Sequence, residues 1–436
     1  MKPVLLLDLS TLQNLVHEEA QRLQHHFFLN VPPVLFLETL ADLERPDKAS
    51  PHRQDQVKAW TSRMLLPGVL FNMDHRHLCR IELLGAEFEM GGSAIPEPPK
   101  RKRLPNGEIL NFHDVTWQNR ALIRWLEGRF ADEDRSIAED WRKHSCVIDV
   151  QKYEGRLAKE YVIVRRVSDV RDVVSAVEDI LSNPNMQDFC LEWLMEEFSF
   201  RQSVRDAIYT GWRMRPSTYL KDFAPYAHYC VKVSLAFAFG LVRGQIASLP
   251  EKKSRVDLEY CYYLPFCMAF ASTDRFHKNL APPLLRENQD FIEGNVLKAD
   301  LKHLNEEWQS LTPEQKRQRD VEYGDYPVEN SDSVIWKIWR KQAGPRTSDY
   351  GNRAPLMTKE KSDELVRHIN STIDATDQRQ TGMELVELNE GAATVKTIIS
   401  LMVPRSEMIE HFPNFEQTQH QAAETENEPR KKPSRQ

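Results

Sequence analysis

Met1-Lys2-Pro3-Val4-Leu5-Leu6-Leu7-Asp8-Leu9-Ser10 opens the chain, and the apolar run Val4–Leu7 decides its class. An unbroken run this short, begun by a β-branched residue, suits a strand buried on both faces, as in a parallel sheet covered by helices. Asp8 closes it. Helical spacing follows at Leu12, Leu15, Val16 and Leu23. Pro32 and Pro33 then sit where the first turn of a helix tolerates proline, ahead of Leu35, Leu37, Leu40 and Leu43. Residues 1–45 therefore read as strand, helix, helix. A second strand is expected at Met268-Ala269-Phe270-Ala271, with a helical stretch over 296–309. The class is α/β with a central, mainly parallel sheet.

The sequence between these strands has a different texture. Residues 46 to about 115 are irregular, with a strand or short helix at 76–85. Pro96, Pro98 and Pro99 precede the run Lys100-Arg101-Lys102-Arg103 and the turn Leu104-Pro105-Asn106-Gly107, which mark a basic loop or hairpin tip near 97–107. From about Thr116 to Gly244 the spacing is helical. Val170, Val173, Val174, Val177 and Ile180 form one apolar stripe that Ser168 can cap. Residues 312–355 are polar and punctuated by tryptophan, and 421–436 contain nothing apolar larger than alanine, so a disordered tail is expected.

The chain has 436 residues, which at roughly 100–200 residues per domain predicts two or three folding units. Hydrophobic residues at 41% support a buried core, and a net charge of −7 excludes a generally cationic nucleic-acid coat protein while leaving room for a local basic groove. The six cysteines show no CxxC pair and no zinc spacing, so they read as reduced thiols in a cytoplasmic protein. The apolar start falls short of the ~7–15 residues of a secretory signal. The window 231–242 contains Lys232 and is shorter than the ~18 residues of a membrane span, so no membrane partner is expected.

Four acids stand at telling places. Asp8 ends the first strand, Glu38 lies within apolar Val34–Leu40, Asp257 opens a helix, and Asp274 follows the second strand. Strand ends and helix starts converge where open α/β sheets bind ligands. Several carboxylates brought together repel one another unless a cation joins them, and all-oxygen ligands suit Mg²⁺ or Mn²⁺. Each acid also has an ordinary reading: strand end or cap for Asp8, solvated helix face for Glu38, dipole-stabilised charge for Asp257, N-cap for Asp274.

With the acids in this order, Leu5-Leu6-Leu7-Asp8-Leu9-Ser10, Leu37-Glu38-Thr39-Leu40, Asp257-Leu258-Glu259-Tyr260 and Ser272-Thr273-Asp274-Arg275-Phe276-His277 resemble the four acidic motifs of PIN-like nucleases. The resemblance implies a PIN-like three-layer core built from residues 1–45 and 225–310. A large, mostly helical insertion at 46–224 separates the two segments, a helical C-terminal extension covers 311–415, and a tail covers 416–436. It implies Asp8, Glu38, Asp257 and Asp274 as catalytic metal ligands, with Ser10 and Ser272 steadying them. Metal-dependent phosphodiester hydrolysis follows, of RNA before DNA and of single-stranded RNA in particular, leaving 5′-phosphate and 3′-hydroxyl ends. Glu38 and Asp257 are separated by 219 residues, an interval much longer than in compact members. Asp42 and Glu259 are the reserve ligands.

Lys100, Arg101, Lys102, Arg103, Arg275 and Lys298 are candidate phosphate-binding residues, although a basic run of this kind is more often a solvated loop. His75 and His77 lack a third metal partner, and Trp336 with Trp339 reads as a core stripe. Phosphate-loop, dinucleotide, GxSxG and HExxH signatures are absent from the sequence. Two rival functions share these residues: a non-catalytic scaffold that binds a protein partner, and a nuclease toxin silenced by a protein inhibitor.

Overall fold

The computed structural model describes residues 2–44, 52–64, 68–96, 100–103, 109–112, 117–144, 150–159, 167–214, 219–243, 254–346, 383–387 and 396–400. In chain order its strands are β1 (Val4–Leu7), β2 (Phe28–Val31), β3 (Val69–Phe71), β4 (Lys100–Arg103), β5 (Ile109–Phe112), β6 (Ala269–Ser272), β7 (Asp290–Glu293), β8 (Met383–Glu387) and β9 (Lys396–Ser400). Five of them form one all-parallel sheet in the order β3-β2-β1-β6-β7. Every residue of β1 and β6 is buried, which is why these two strands carry no polar alternation.

Strand β1 spans the residues expected of it, and β6 is shifted by one residue. Three strands were not legible. Two helices, Leu9–Asn14 and His17–His26, follow β1, and β2 lies between the second of them and the helix Pro33–Ala41, so the opening reads strand, helix, helix, strand, helix. Strand β3 has only three residues and falls inside the expected insertion, together with the helices His52–Met64 and His75–Leu83. The first core segment thus runs beyond residue 45 to take in β3. The edge strand β7, Asp-Phe-Ile-Glu, is half exposed and too short to show a period.

The basic run, expected in a loop or hairpin tip, is instead the strand β4, which pairs antiparallel with β5, Lys100 opposite Phe112. The helices Val150–Lys159, Val170–Leu181, Gln187–Glu197 and Leu220–Phe223 gather on Pro225–Val242, which has Pro225 in its first turn and is buried along most of its length. Glu82 caps it from another helix, accepting the N–H groups of Tyr226 and Ala227 at 3.1 and 2.8 Å. In the Val170–Leu181 helix the expected cap is corrected. Asp169 is the N-cap, accepting from Asp172 N–H, while Ser168 bonds the Asp172 side chain.

Beyond β7, the helices Gly294–Ser310 and Val334–Ala343 join the core. Trp339 is buried, with its indole N–H on the His26 carbonyl at 2.9 Å, and Trp336 is half buried. His75 is buried and stacks on Tyr262. The chain divides into two compact units, one of Met1–His113 with Ala121–Ser362 and one of Asp114–Arg120 with Asp363–Gln436. The second contains the antiparallel pair β8 and β9. The expected tail lies outside the described residues. No described helix is long and apolar enough to cross a membrane.

Candidate active site

From β1 the chain builds outward through β2 to β3, then returns to lay β6 and β7 on the other side of β1. The order therefore reverses between β1 and β6, and ligands of open parallel sheets bind beyond the carboxyl ends of the strands at such a point. Asp8 directly follows β1, and Asp274 lies two residues beyond β6. Both are helix N-caps: Asp8 accepts from Thr11 N–H and Asp274 from Phe276 N–H. The ordinary reading of each thus holds, and it coexists with a place at the switch point.

Serines steady Asp8 as expected. Ser10 and Ser272 donate their hydroxyls to its Oδ2 at 2.6 and 2.7 Å. The Ser272 oxygen in turn accepts Asp274 N–H at 2.9 Å. His277, fully buried, completes the group: its Nε2–H meets the Asp257 carbonyl at 2.8 Å, and Nδ1 lies 2.8 Å from the Ser272 oxygen and 3.5 Å from Asp8 Oδ2. The arrangement in which Ser272 gives its one proton to Asp8 leaves both ring nitrogens as N–H donors, an imidazolium. Burial opposes that charge, but Asp8 outweighs it and raises the His277 pKa to about 9. Burial likewise pushes Asp8 up, and His277 with the two serines more than reverses this.

On the other wall, Tyr260 donates its hydroxyl to Glu38 at 2.7 Å and accepts Leu9 N–H at 3.2 Å. Burial, with Asp257, Asp8 and Asp42 nearby, pushes Glu38 up to about 8, against the Tyr260 hydrogen bond. Asp8, Glu38, Asp257 and Asp274 all line one cleft of about 240 Å³, joined by the reserve acid Asp42 and by Trp141 and Arg142. The two acids separated by 219 residues in the chain thus meet.

The other candidates fall elsewhere. Lys298 is corrected: it bonds the Asn14 carbonyl and faces Glu19 at 3.7 Å, so it is a structural tie and does not line the cleft. Arg275 is exposed on the helix that Asp274 caps. Glu259 pairs with Arg76 at 3.1 Å and is no reserve ligand in this geometry. The basic run is a described strand, but its side chains lie outside the description. Sequence reasoning gave no role to His277, Tyr260, Trp141 or Arg142. The first two stood inside the quoted motifs; nothing local marked the others.

The donor set is all oxygen, the right chemistry for Mg²⁺ or Mn²⁺. Burial is the first cause of the raised Glu38 pKa, and Asp257, Asp8 and Asp42 add a repulsion that a cation would relieve. The spacing is less ready: among the described residues no three His, Cys, Asp or Glu side chains are grouped to hold one ion, and both Asp8 oxygens already have protein partners. The cleft fits such an ion in kind, on condition that Glu38 loses its proton and the acids draw inward. No protein-family model, curated protein or solved structure matches the chain.

Proposed function

We propose that this cleft hydrolyses phosphodiesters with a divalent cation, on a PIN-like three-layer core, with single-stranded RNA as the first substrate to test. The observation that carries the reading is that Asp8, Glu38, Asp257 and Asp274 line one cleft, two of them just beyond the strands β1 and β6. These four residues would hold Mg²⁺ or Mn²⁺, and the bound ion would supply a water of lowered pKa as nucleophile. Within the chain, Ser10 and Ser272 orient Asp8, and Tyr260 orients Glu38. Because Glu38 is protonated up to about pH 8, loading should release a proton and strengthen as pH rises. The test is cleavage of single-stranded RNA with Mg²⁺, Mn²⁺ or chelator. Metal-independent cleavage, or an Asp274→Ala variant as active as the parent, overturns the proposal.

A second reading draws on His277. An imidazolium already neutralises Asp8, as a site retained for binding a protein partner, or silenced by one, would permit. Absence of both cleavage and any metal-dependent rise in melting temperature would favour it.

A further inference from the structure

We infer that the inserted helix Asp132–His144 supplies the strand-binding wall of the acid cleft, with Arg142 taking a backbone phosphate and Trp141 stacking a base of single-stranded RNA. This rests on the nucleic-acid reading of the same cleft. The helix packs along Pro33–Ala41, the helix that carries Glu38. Arg142 Nη1 donates to the carbonyl of Ala41 at 3.2 Å, one turn beyond Glu38 and at the cleft's edge. The described lining holds five carboxylates, Asp8, Glu38, Asp42, Asp257 and Asp274, and one arginine. Among the described lining residues, Arg142 is the one cationic side chain that an anionic phosphodiester entering the cleft would meet. Guanidinium geometry is suited to phosphate oxygens.

Trp141, the adjacent residue, lines the same cleft and is half buried. An aromatic ring beside a backbone-binding cation is the pairing that grips single strands with little sequence preference. At about 240 Å³ the cleft lies below the ~300–1,000 Å³ of ordinary small-molecule sites.

The experiment measures binding of a labelled oligouridylate by fluorescence anisotropy across salt concentrations, with Mg²⁺ present and turnover stopped by Asp274→Asn. Trp141→Ala should weaken binding about 5–150-fold, the range for losing one base stack, while Trp141→Phe keeps most of it. Arg142→Gln should weaken binding and lower the log–log salt slope by about 0.7, the single-strand value for one phosphate no longer neutralised; Arg142→Lys should restore the slope. Thermal unfolding shows which variants are folded, and the conservative pair carries the test if a severe one is not.

Parental affinity and slope in folded variants overturn the inference, even if the parent cleaves RNA. Binding that depends on Trp141 and Arg142 in a protein that never cleaves upholds it while removing the catalytic reading. Capture of a lysine-rich peptide but no oligonucleotide overturns it in favour of a cationic protein partner.

Discussion

At Asp8, one carboxylate caps a helix, receives two serine hydroxyls and faces a buried imidazolium. Crowding of acids alone would make Asp8→Asn neutral or stabilising. The His277 pairing reverses that sign, because the variant leaves a buried cation without its counter-charge. Its loss of stability should fall at or below the low end of the ~3–5 kcal/mol seen on breaking buried pairs, since the imidazole can release its proton. Asp274→Asn should unfold like the parent, as asparagine caps equally well. Both should lose cleavage. Chemical denaturation of the two variants, side by side, checks the contrast.

Protonation adds a second residue-scale prediction. His26 and His75 are held neutral by burial, with pKa values lowered to about 3, so folding excludes protons that the unfolded chain binds. Stability therefore rises with pH from about 3 to 6.5. His277 behaves oppositely: its contribution is complete below about 6.5 and is lost as pH rises through about 9. Glu38 adds a penalty that grows from its unfolded value of 4.5 to about 8. In chelator, melting temperature should peak near about pH 6.5, with each group able to contribute up to ~1.4 kcal/mol per pH unit within its window. Glu38→Gln should shallow the alkaline limb below pH 8. A limb unchanged in that variant would count against a protonated Glu38.

Among the elements, the short helix Ser254–Cys261 is held from three directions. Arg255 pairs with Glu197 and donates to the Tyr153 hydroxyl, Glu259 pairs with Arg76, and Tyr260 reaches Glu38. Asp257 rides on this helix, so its place in the cleft depends on an ion pair made by an inserted helix. Glu197→Gln leaves the half-buried Arg255 charge under-compensated and should destabilise by less than the ~3–5 kcal/mol of a fully buried pair, with weaker Mn²⁺ binding as the companion effect. Retained Mn²⁺ affinity would separate Asp257 from this clamp.

The helix Gly294–Ser310 begins against the site. A Cβ on Gly294 would lie 2.6 Å from both Thr11 Oγ1 and Thr273 Cγ2, and the Thr273 hydroxyl is 2.6 Å from that of Ser10. Gly294→Ala must therefore push the loop that carries Asp274. It should cost about 1–3 kcal/mol, typical of overpacking, and reduce cleavage together with stability.

At the scale of the whole molecule, the long segment between β3 and β6 both closes the sheet's order and walls its cleft. If the β4–β5 hairpin also meets the strand, neutralising Lys100, Arg101, Lys102 and Arg103 together should weaken RNA binding and flatten its salt dependence, by about 0.7 in slope for each phosphate left without its cation. An unchanged slope returns that hairpin to a solvated edge. The Arg142 and Trp141 wall is independent of this outcome.

Much was legible locally. Val4–Leu7 and the β6 run announced themselves because strands buried on both faces are mostly apolar. Pro33 marked its helix start through its fixed φ and missing N–H, and Asp8 and Asp274 stood where caps belong. Strands β2, β3 and β7 were hidden because three or four residues carry no period, and their state is set by the neighbour they pair with. The four acids could be named from position, but His277 could not be given a role. An imidazole is an ordinary helix residue until Asp8, Ser272 and the Asp257 carbonyl surround it.

The amino-acid sequence by itself determined the α/β class, the two central strands and the acids that follow them, because propensity, capping and burial pattern act over a few neighbouring residues. Only the tertiary structure decided the strand order that places β1 beside β6, the meeting of Glu38 with Asp257 across 219 residues, the charge on His277 and the arrival of Arg142 among five carboxylates. Those outcomes depend on Coulomb interactions and desolvation between groups far apart in the chain, whose strength is defined only once the fold has set their separation and removed the water between them.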